Sequence, residues 1–289
     1  MSAMSTGAPV FGTDVPQPVQ YGPPGGMMRR LNLVTAVVLG VGCAAIAGFV
    51  IDAVVPSTAS TATFAPVAPD LIYLGMLAGW VIGFMAGIGA FVGPIRWFMG
   101  RDLTHLDAEY MAGKDLGWRR YFKFTTDHKV VGLQYLVVTM FLLGLGGLLA
   151  MLIRTELGVT WAEVFSPSFY NSMIGTHGIA MILAMILAVM GPIANFIMPM
   201  MIGARDMAFP RLNALSLWLV VVAAVCLVST LFTGGIQDGW SVYQPLASQG
   251  PPAMLGYQMT IIVFAISTGV ASINLIVTAV TMRAKGMTW

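Results

Sequence analysis

His177 is the side chain in this sequence best placed to do chemistry. From Val164 to Ala204 no other Asp, Glu, Lys, Arg or His occurs. Ionisable groups at membrane depth are costly and usually functional. An imidazole in such surroundings can hydrogen-bond a neighbouring helix, or it can offer one ring nitrogen to a metal or haem iron. The residues alone leave both roles open. Arg154, at the end of the uncharged run Val130 to Ile153, is the next candidate. His105 and His128 sit in or beside a charged segment, where solvated side chains are expected. Cys43 and Cys226 lie in apolar runs without CxxC spacing, so they read as small buried hydrophobes rather than as a disulfide or zinc pair. Twenty-two methionines raise the idea of Cu(I) transport, since thioethers suit that ion. They are scattered without a repeated Met-x-x-Met pair, which favours packing.

The elements that must position these groups follow from composition. Only 9% of the 289 residues are charged and 57% are hydrophobic, whereas soluble domains carry roughly 25% charge. A soluble globular protein is excluded, and a scattered net charge of +2 leaves no surface for nucleic acid. Uncharged runs occupy Leu31 to Ile51, Leu71 to Ile95, Val130 to Ile153, Val164 to Ala204, Leu212 to Gln237 and Gly239 to Met282. A bilayer-spanning helix needs about 20 apolar residues, so the pattern predicts an all-α integral membrane protein with six transmembrane helices. The fourth and sixth runs exceed one simple span. Part of each is therefore assigned to an outer loop, the Ser-Pro-Ser at 166 to 168 and the stretch from Gly239 to Pro252, with helices starting near Tyr170 and Leu255.

Basic residues orient the bundle, because cytoplasmic loops are enriched in Lys and Arg. With the N-terminus inside, all but one of the fourteen fall on cytoplasmic segments, and Arg154 is the exception. It calls for a specific partner. Residues 1–28, rich in Pro and Gly, read as a disordered cytoplasmic tail and not as a signal peptide. Arg29-Arg30 before the first apolar run marks a signal anchor that stays attached. Neither an internal repeat nor inverted-repeat symmetry is visible.

Around His177 the sequence becomes recognisable. Thr176-His177-Gly178, followed by the run from Met198-Pro199-Met200 through Ala204-Arg205-Asp206 to Pro210-Arg211-Leu212-Asn213, closely resembles subunit I of the haem-copper terminal oxidases. Thr125-Thr126-Asp127-His128-Lys129 through Tyr135 resembles that family's approach to its first helix, and Ile153-Arg154-Thr155-Glu156-Leu157 its exit. Gly239-Trp240-Ser241-Val242-Tyr243-Gln244-Pro245-Leu246 is similar to the loop after its third helix, and Met282 to Met287 to the loop after its fourth. The resemblance makes residues 118–289 the N-terminal part of a subunit I domain, the last four helices matching the family's first four. Residues 29–117 supply two additional transmembrane helices and a charged cytoplasmic loop.

The resemblance implies roles. His177 matches an axial ligand of the low-spin haem, and it lies roughly 10 Å into its helix from the outer side. Arg154 matches a residue that hydrogen-bonds a peripheral group of that haem; a snorkelling helix-end arginine is the alternative. Asp206 matches the carboxylate at the mouth of the proton uptake channel, with Asn195 and Asn213 as amides above it and Tyr135 and Ser216 as further lining. Otherwise Asp206 is a loop partner of Arg205 or Arg211. Where the family commonly has Asn-Asn, this chain has Asn213-Ala214. Trp240 and Tyr243 match outer aromatics near the haem propionates, and interface-belt positions explain them equally well. Glu156 matches a ligand of an outer structural cation in some members.

The family's second axial histidine, high-spin haem ligand and copper-binding histidines belong to later helices, so a high-spin haem and copper are expected only in a further C-terminal part. The chain is read as part of a longer or split subunit. Quinol-oxidising members carry an Arg, an Asp and a His where this chain has Leu145, Leu149 and Phe169. Cytochrome c is therefore the expected donor, with electrons arriving through a copper-bearing subunit, in what is expected to be a bacterial plasma membrane with both termini cytoplasmic. A non-catalytic six-helix assembly or haem-anchoring protein derived from the family is the alternative reading; a transporter lacks the expected paired broken helices.

Overall fold

The computed structural model describes residues 27–54, 68–101, 105–112, 117–159 and 163–288. The tail 1–26, Lys114, Trp289 and the His105 side chain lie outside the described residues. Regular structure among those described is helical: α1 (Leu33–Val54), α2 (Ala68–Ile88), α3 (Val92–Phe98), α4 (His105–Ala112), α5 (His128–Gly158), α6 (Pro167–Ala188), α7 (Asn195–Met201), α8 (Pro210–Thr230), α9 (Leu246–Gln249) and α10 (Ala253–Thr281). Six helices are long and apolar enough to cross a membrane, with α6 and α7 forming one continuous span, Pro167–Met201. The protein is an integral membrane protein.

Successive spans pair as hairpins: α1 with α2, α5 with α6, and α8 with α10. The first pair is held by close backbone approach. Gly75, Gly79, Gly83 and Gly87 recur every fourth residue along α2, so they share one face. A Cβ at Gly79 would sit 2.5 Å from the Cys43 carbonyl oxygen, and one at Gly87 2.5 Å from the Ala36 Cα. Lipid tails give apolar helices no hydrophobic reason to associate, so contact of this kind supplies the attraction. The hairpin then docks on α8. Tyr73 and Ser229 share a hydrogen bond of 2.7 Å, and the Phe84 and Trp218 rings lie 6.0 Å apart.

Two helix starts differ from the sequence reading. Ser166, assigned to a loop, caps α6 by accepting a hydrogen bond from the Phe169 N–H, and Pro167 takes the first helical position. The fourth span is thus nearly all helix, about 50 Å long, which exceeds a hydrocarbon core of about 30 Å. The sixth begins at Ala253. A third difference concerns the tail, whose last residues join a 3-10 turn, Met27–Arg30, with Met28 buried and its N–H donating to Asp107 Oδ1 at 3.2 Å.

Contacts sort the helix ends into two sets. At one end Arg96 pairs with Asp107 at 3.3 Å, the Thr126 N–H reaches the Met111 carbonyl at 2.9 Å, and the Ala284 N–H reaches that of Ile202 at 2.9 Å. At the other, Gln237 Nε2 donates to the Ser168 carbonyl at 3.1 Å, and the Ala253 N–H to that of Thr233 at 3.3 Å. Among the described residues every Lys and Arg except Arg154 belongs to the first, basic end.

Candidate functional site

The histidine site lies toward the Arg154 end. His177 Nδ1 stands 2.8 Å from the Gly146 carbonyl oxygen on α5. A carbonyl can only accept, so Nδ1 carries the hydrogen, and in the neutral imidazole it is Nε2 that keeps the lone pair. A second partner that fixes tautomer and ring orientation is the usual support of a metal-ligating imidazole. Space around the ring is set by glycines. A Cβ at Gly146 would meet Met181 Sδ at 2.6 Å, and one at Gly178 would meet the Trp240 Cβ at 2.9 Å. Trp240 is thereby brought against the residue next to His177, and its carbonyl accepts the Tyr257 hydroxyl at 2.9 Å. Tyr243 stays on the loop surface, 77% exposed.

Arg154 lies about 12 Å further along α5 than Gly146. It is exposed, and it makes no ion pair or hydrogen bond with a described residue. Glu156 Oε2 accepts the N–H groups of Val164 and Phe165 at 3.0 and 2.9 Å, so this carboxylate braces the loop into α6. No group of three or more His, Cys, Asp or Glu fit for a metal ion occurs among the described residues.

The basic end holds the second site. Asp206 lies on the loop between α7 and α8, on a cavity of about 280 Å³ that is also lined by Thr126, Asp127, His128, Lys129 and Arg205. It makes no ion pair with Arg205 or Arg211. Burial pushes its carboxyl above the ordinary carboxylate value. The Met207 N–H and the His128 charge pull it back, and the Asp127 charge adds to the rise.

Further in, side chains from three spans meet. The Tyr135 hydroxyl donates to Ser216 Oγ at 2.8 Å, which donates to the Asn213 carbonyl at 2.7 Å. Ser267 Oγ donates to the Ser216 carbonyl at 2.6 Å. Tyr135, Ser216, Asn213 and Asn195 are each at most 2% exposed. Asn195 Nδ2 donates to the Met190 carbonyl at 3.0 Å, while Asn195 Oδ1 and Asn213 Nδ2 have no protein partner. Buried polar atoms left this way are the ones that ordered water serves. The neighbouring Ala214, fully buried, brings no amide.

Three features escaped the sequence reading. His128, expected in solvent, is 3% exposed, with Nδ1 2.9 Å from the Asn195 carbonyl. Two neighbouring groups explain the burial: Asp127 caps α5 through the Lys129 N–H at 2.9 Å, and the next residue then turns inward. Asn274 and Thr278, both fully buried on α10, hold the loop that carries Asp206. Asn274 Oδ1 accepts the Phe209 N–H at 2.9 Å, and Nδ2 donates to the Phe209 carbonyl at 3.2 Å. Thr278 Oγ1 accepts the Ala208 N–H at 2.9 Å. The signal for this pair was present: two polar residues four apart in an apolar helix share one face.

The fold and the two sites define a polytopic helical membrane protein with ionisable groups held at both ends of one bundle. A family profile described as "Cytochrome C and Quinol oxidase polypeptide I" matches residues 130–289, and the chain belongs to that family. Among curated relatives, "Cytochrome c oxidase subunit 1" of Thermostichus vulcanus is 41% identical over 174 residues, covering 60% of this chain and 32% of that one. The protein of the same name from Synechocystis sp. is 37% identical over 171 residues, covering 59% and 31%. "Heme-copper oxidase subunit I+III" of Aeropyrum pernix is 37% identical over 179 residues, covering 60% and 22%. The chain thus spans a third or less of these relatives' length, and α1 to α4 precede the profile match.

Proposed function

We propose that this chain forms part of the catalytic subunit of a respiratory terminal oxidase, which takes electrons from cytochrome c and passes them through a low-spin haem to an oxygen-reducing haem-copper centre, with coupled proton uptake and translocation. The observation that carries the reading is the His177 to Gly146 bond, which fixes the imidazole and turns Nε2 loose for an iron. The haem, when bound, supplies a one-electron store between donor and oxygen-reducing centre. His177 would hold it from α6. Arg154 would hydrogen-bond its periphery, its permanently charged guanidinium favouring the reduced state. Trp240, seated against Gly178, would close the outer side beside the propionates, with Tyr243 further out.

Asp206 would gather protons at the opposite end. Its raised proton affinity suits a group that must be both loaded and emptied, and the orphaned amide atoms of Asn195 and Asn213, together with Tyr135 and Ser216, would order the water that leads inward. The basic end is assigned to the cytoplasm of a bacterium, following the preference of Lys and Arg for that side. Leu145, Leu149 and Phe169, apolar where quinol-oxidising members are polar, support cytochrome c as the donor. The partners are the lipid bilayer and further oxidase subunits, one of them bearing copper.

The test is His177→Ala in the complete oxidase, read by reduced-minus-oxidised spectroscopy of purified enzyme. Loss of the low-spin haem band with the protein still in the membrane is the expected result. A retained band would remove His177 from the ligand set.

A further inference from the structure

The fourth span is interrupted twice by proline. Pro192 lies in a π-helical turn, Val189–Ala194, and Pro199 in α7. Proline has no N–H, so the carbonyl four residues earlier loses its helical donor. For Pro199 that carbonyl belongs to Asn195. A bare carbonyl in a membrane protein's interior is costly, and here the missing donor comes from another helix: His128 Nδ1, at the start of α5, lies 2.9 Å away. His128 is 3% exposed, so water does not compete freely for the bond. The Asn195 side chain closes the preceding π-helical turn through its 3.0 Å bond to the Met190 carbonyl. Its Oδ1 is buried and has no protein partner.

We propose that His128 is a positioning residue for proton uptake: its imidazole replaces the backbone N–H that Pro199 lacks and so fixes Asn195, whose side-chain oxygen orients water above Asp206. The inference rests on the uptake reading given above. Two features make the link directional. Asn195 belongs to the short segment between two prolines; its own N–H still reaches the Gly191 carbonyl, so the ladder bond that Pro199 breaks is the one on its carbonyl side. His128 also lines the cavity that holds Asp206, so one side chain ties the mouth of the path to its first amide.

The experiment compares His128→Ala, the double variant His128→Ala/Pro199→Ala, His128→Asn and Asp206→Asn in the complete oxidase, reading oxygen consumption and low-spin haem reduction by cytochrome c. An alanine at 199 restores a backbone N–H for the Asn195 carbonyl, and an asparagine at 128 keeps a donor near the position of Nδ1. His128→Ala is expected to slow oxygen consumption roughly tenfold, as small misplacements of working groups do, with haem reduction unchanged. The double variant and His128→Asn should both return to within about twofold of the parent. Normal turnover in His128→Ala, or a double variant as slow as the single one, overturns the proposal. If His128→Ala does not accumulate, the double variant decides: accumulation with normal turnover supports the proposal, and slow turnover or failure to accumulate overturns it. Slow Asp206→Asn beside normal His128→Ala removes only this inference, whereas normal Asp206→Asn removes the uptake reading beneath it.

Discussion

A carboxyl group half-removed from water binds its proton more tightly, and Asp206 is in that condition. The sign of the consequence for stability is fixed. Because the folded value lies above the unfolded one, Asp206 favours the native state fully below the ordinary carboxylate pKa, and this contribution is lost as pH rises through the raised folded value. Asp206→Asn carries no such dependence. The variant should therefore gain thermal stability relative to the parent as pH rises across that window, and show no such gain at acid pH below it. A thermal-shift series from acid to neutral pH in detergent reads the difference. A gain that grew toward acid pH would mean that the native fold depresses the carboxyl instead.

Helices in this protein are positioned by what they omit as much as by what they carry. The α1–α2 pair depends on glycine where backbones touch: at Gly83 a Cβ would meet the Cys43 Cβ at 2.8 Å, whereas at Gly42 it would meet nothing within 4 Å. Gly83→Leu should thus cost about 1–3 kcal/mol through overpacking, while Gly42→Leu, pointing outward, should cost little. Thermal unfolding of the two variants, followed by aggregation or by thiol exposure at Cys43, checks the contrast, and equal losses would argue against the close pairing. The six spans were legible in the sequence because charge is excluded from them so completely. Ser166 and Pro167 are not legible as a helix start, because Ser and Pro serve loops and helix starts alike, and only the bond from the Phe169 N–H to Ser166 tells the two apart. The burial of His128 is hidden in the sequence for a related reason: its neighbours Asp127 and Lys129 are charged, but the first turn of a helix faces both solvent and core. The grouping of Tyr135, Ser216 and Asn213 was legible only by resemblance, since residues 81 apart in sequence bond across helices. Nothing in the local pattern marks Pro199 as the reason for a histidine on another span.

At the scale of the whole molecule, the two candidate sites are separated by about 35 Å of helix between His177 and the end of α7. Electrons would enter at the Arg154 end and protons at the basic end, so the same bundle would hold the two reactants apart until they meet at the oxygen-reducing centre. The additional α1–α2 hairpin docks on α8 through Tyr73 and Phe84, which leaves the α5–α6 pair, where His177 and Gly146 meet, uncovered by it. Separation of this kind makes a sharp demand, because a defect at one end should leave the chemistry at the other intact. The direct measurement is made on the complete oxidase carrying Asp206→Asn, reconstituted in vesicles, with low-spin haem reduction by cytochrome c, oxygen consumption and external acidification followed together. An amide cannot cycle between charged and neutral forms, and a dry membrane interior offers few detours. Haem reduction should therefore stay fast while oxygen consumption slows markedly and proton release falls toward zero. Normal oxygen consumption with normal proton release in a well-folded Asp206→Asn enzyme would contradict the account.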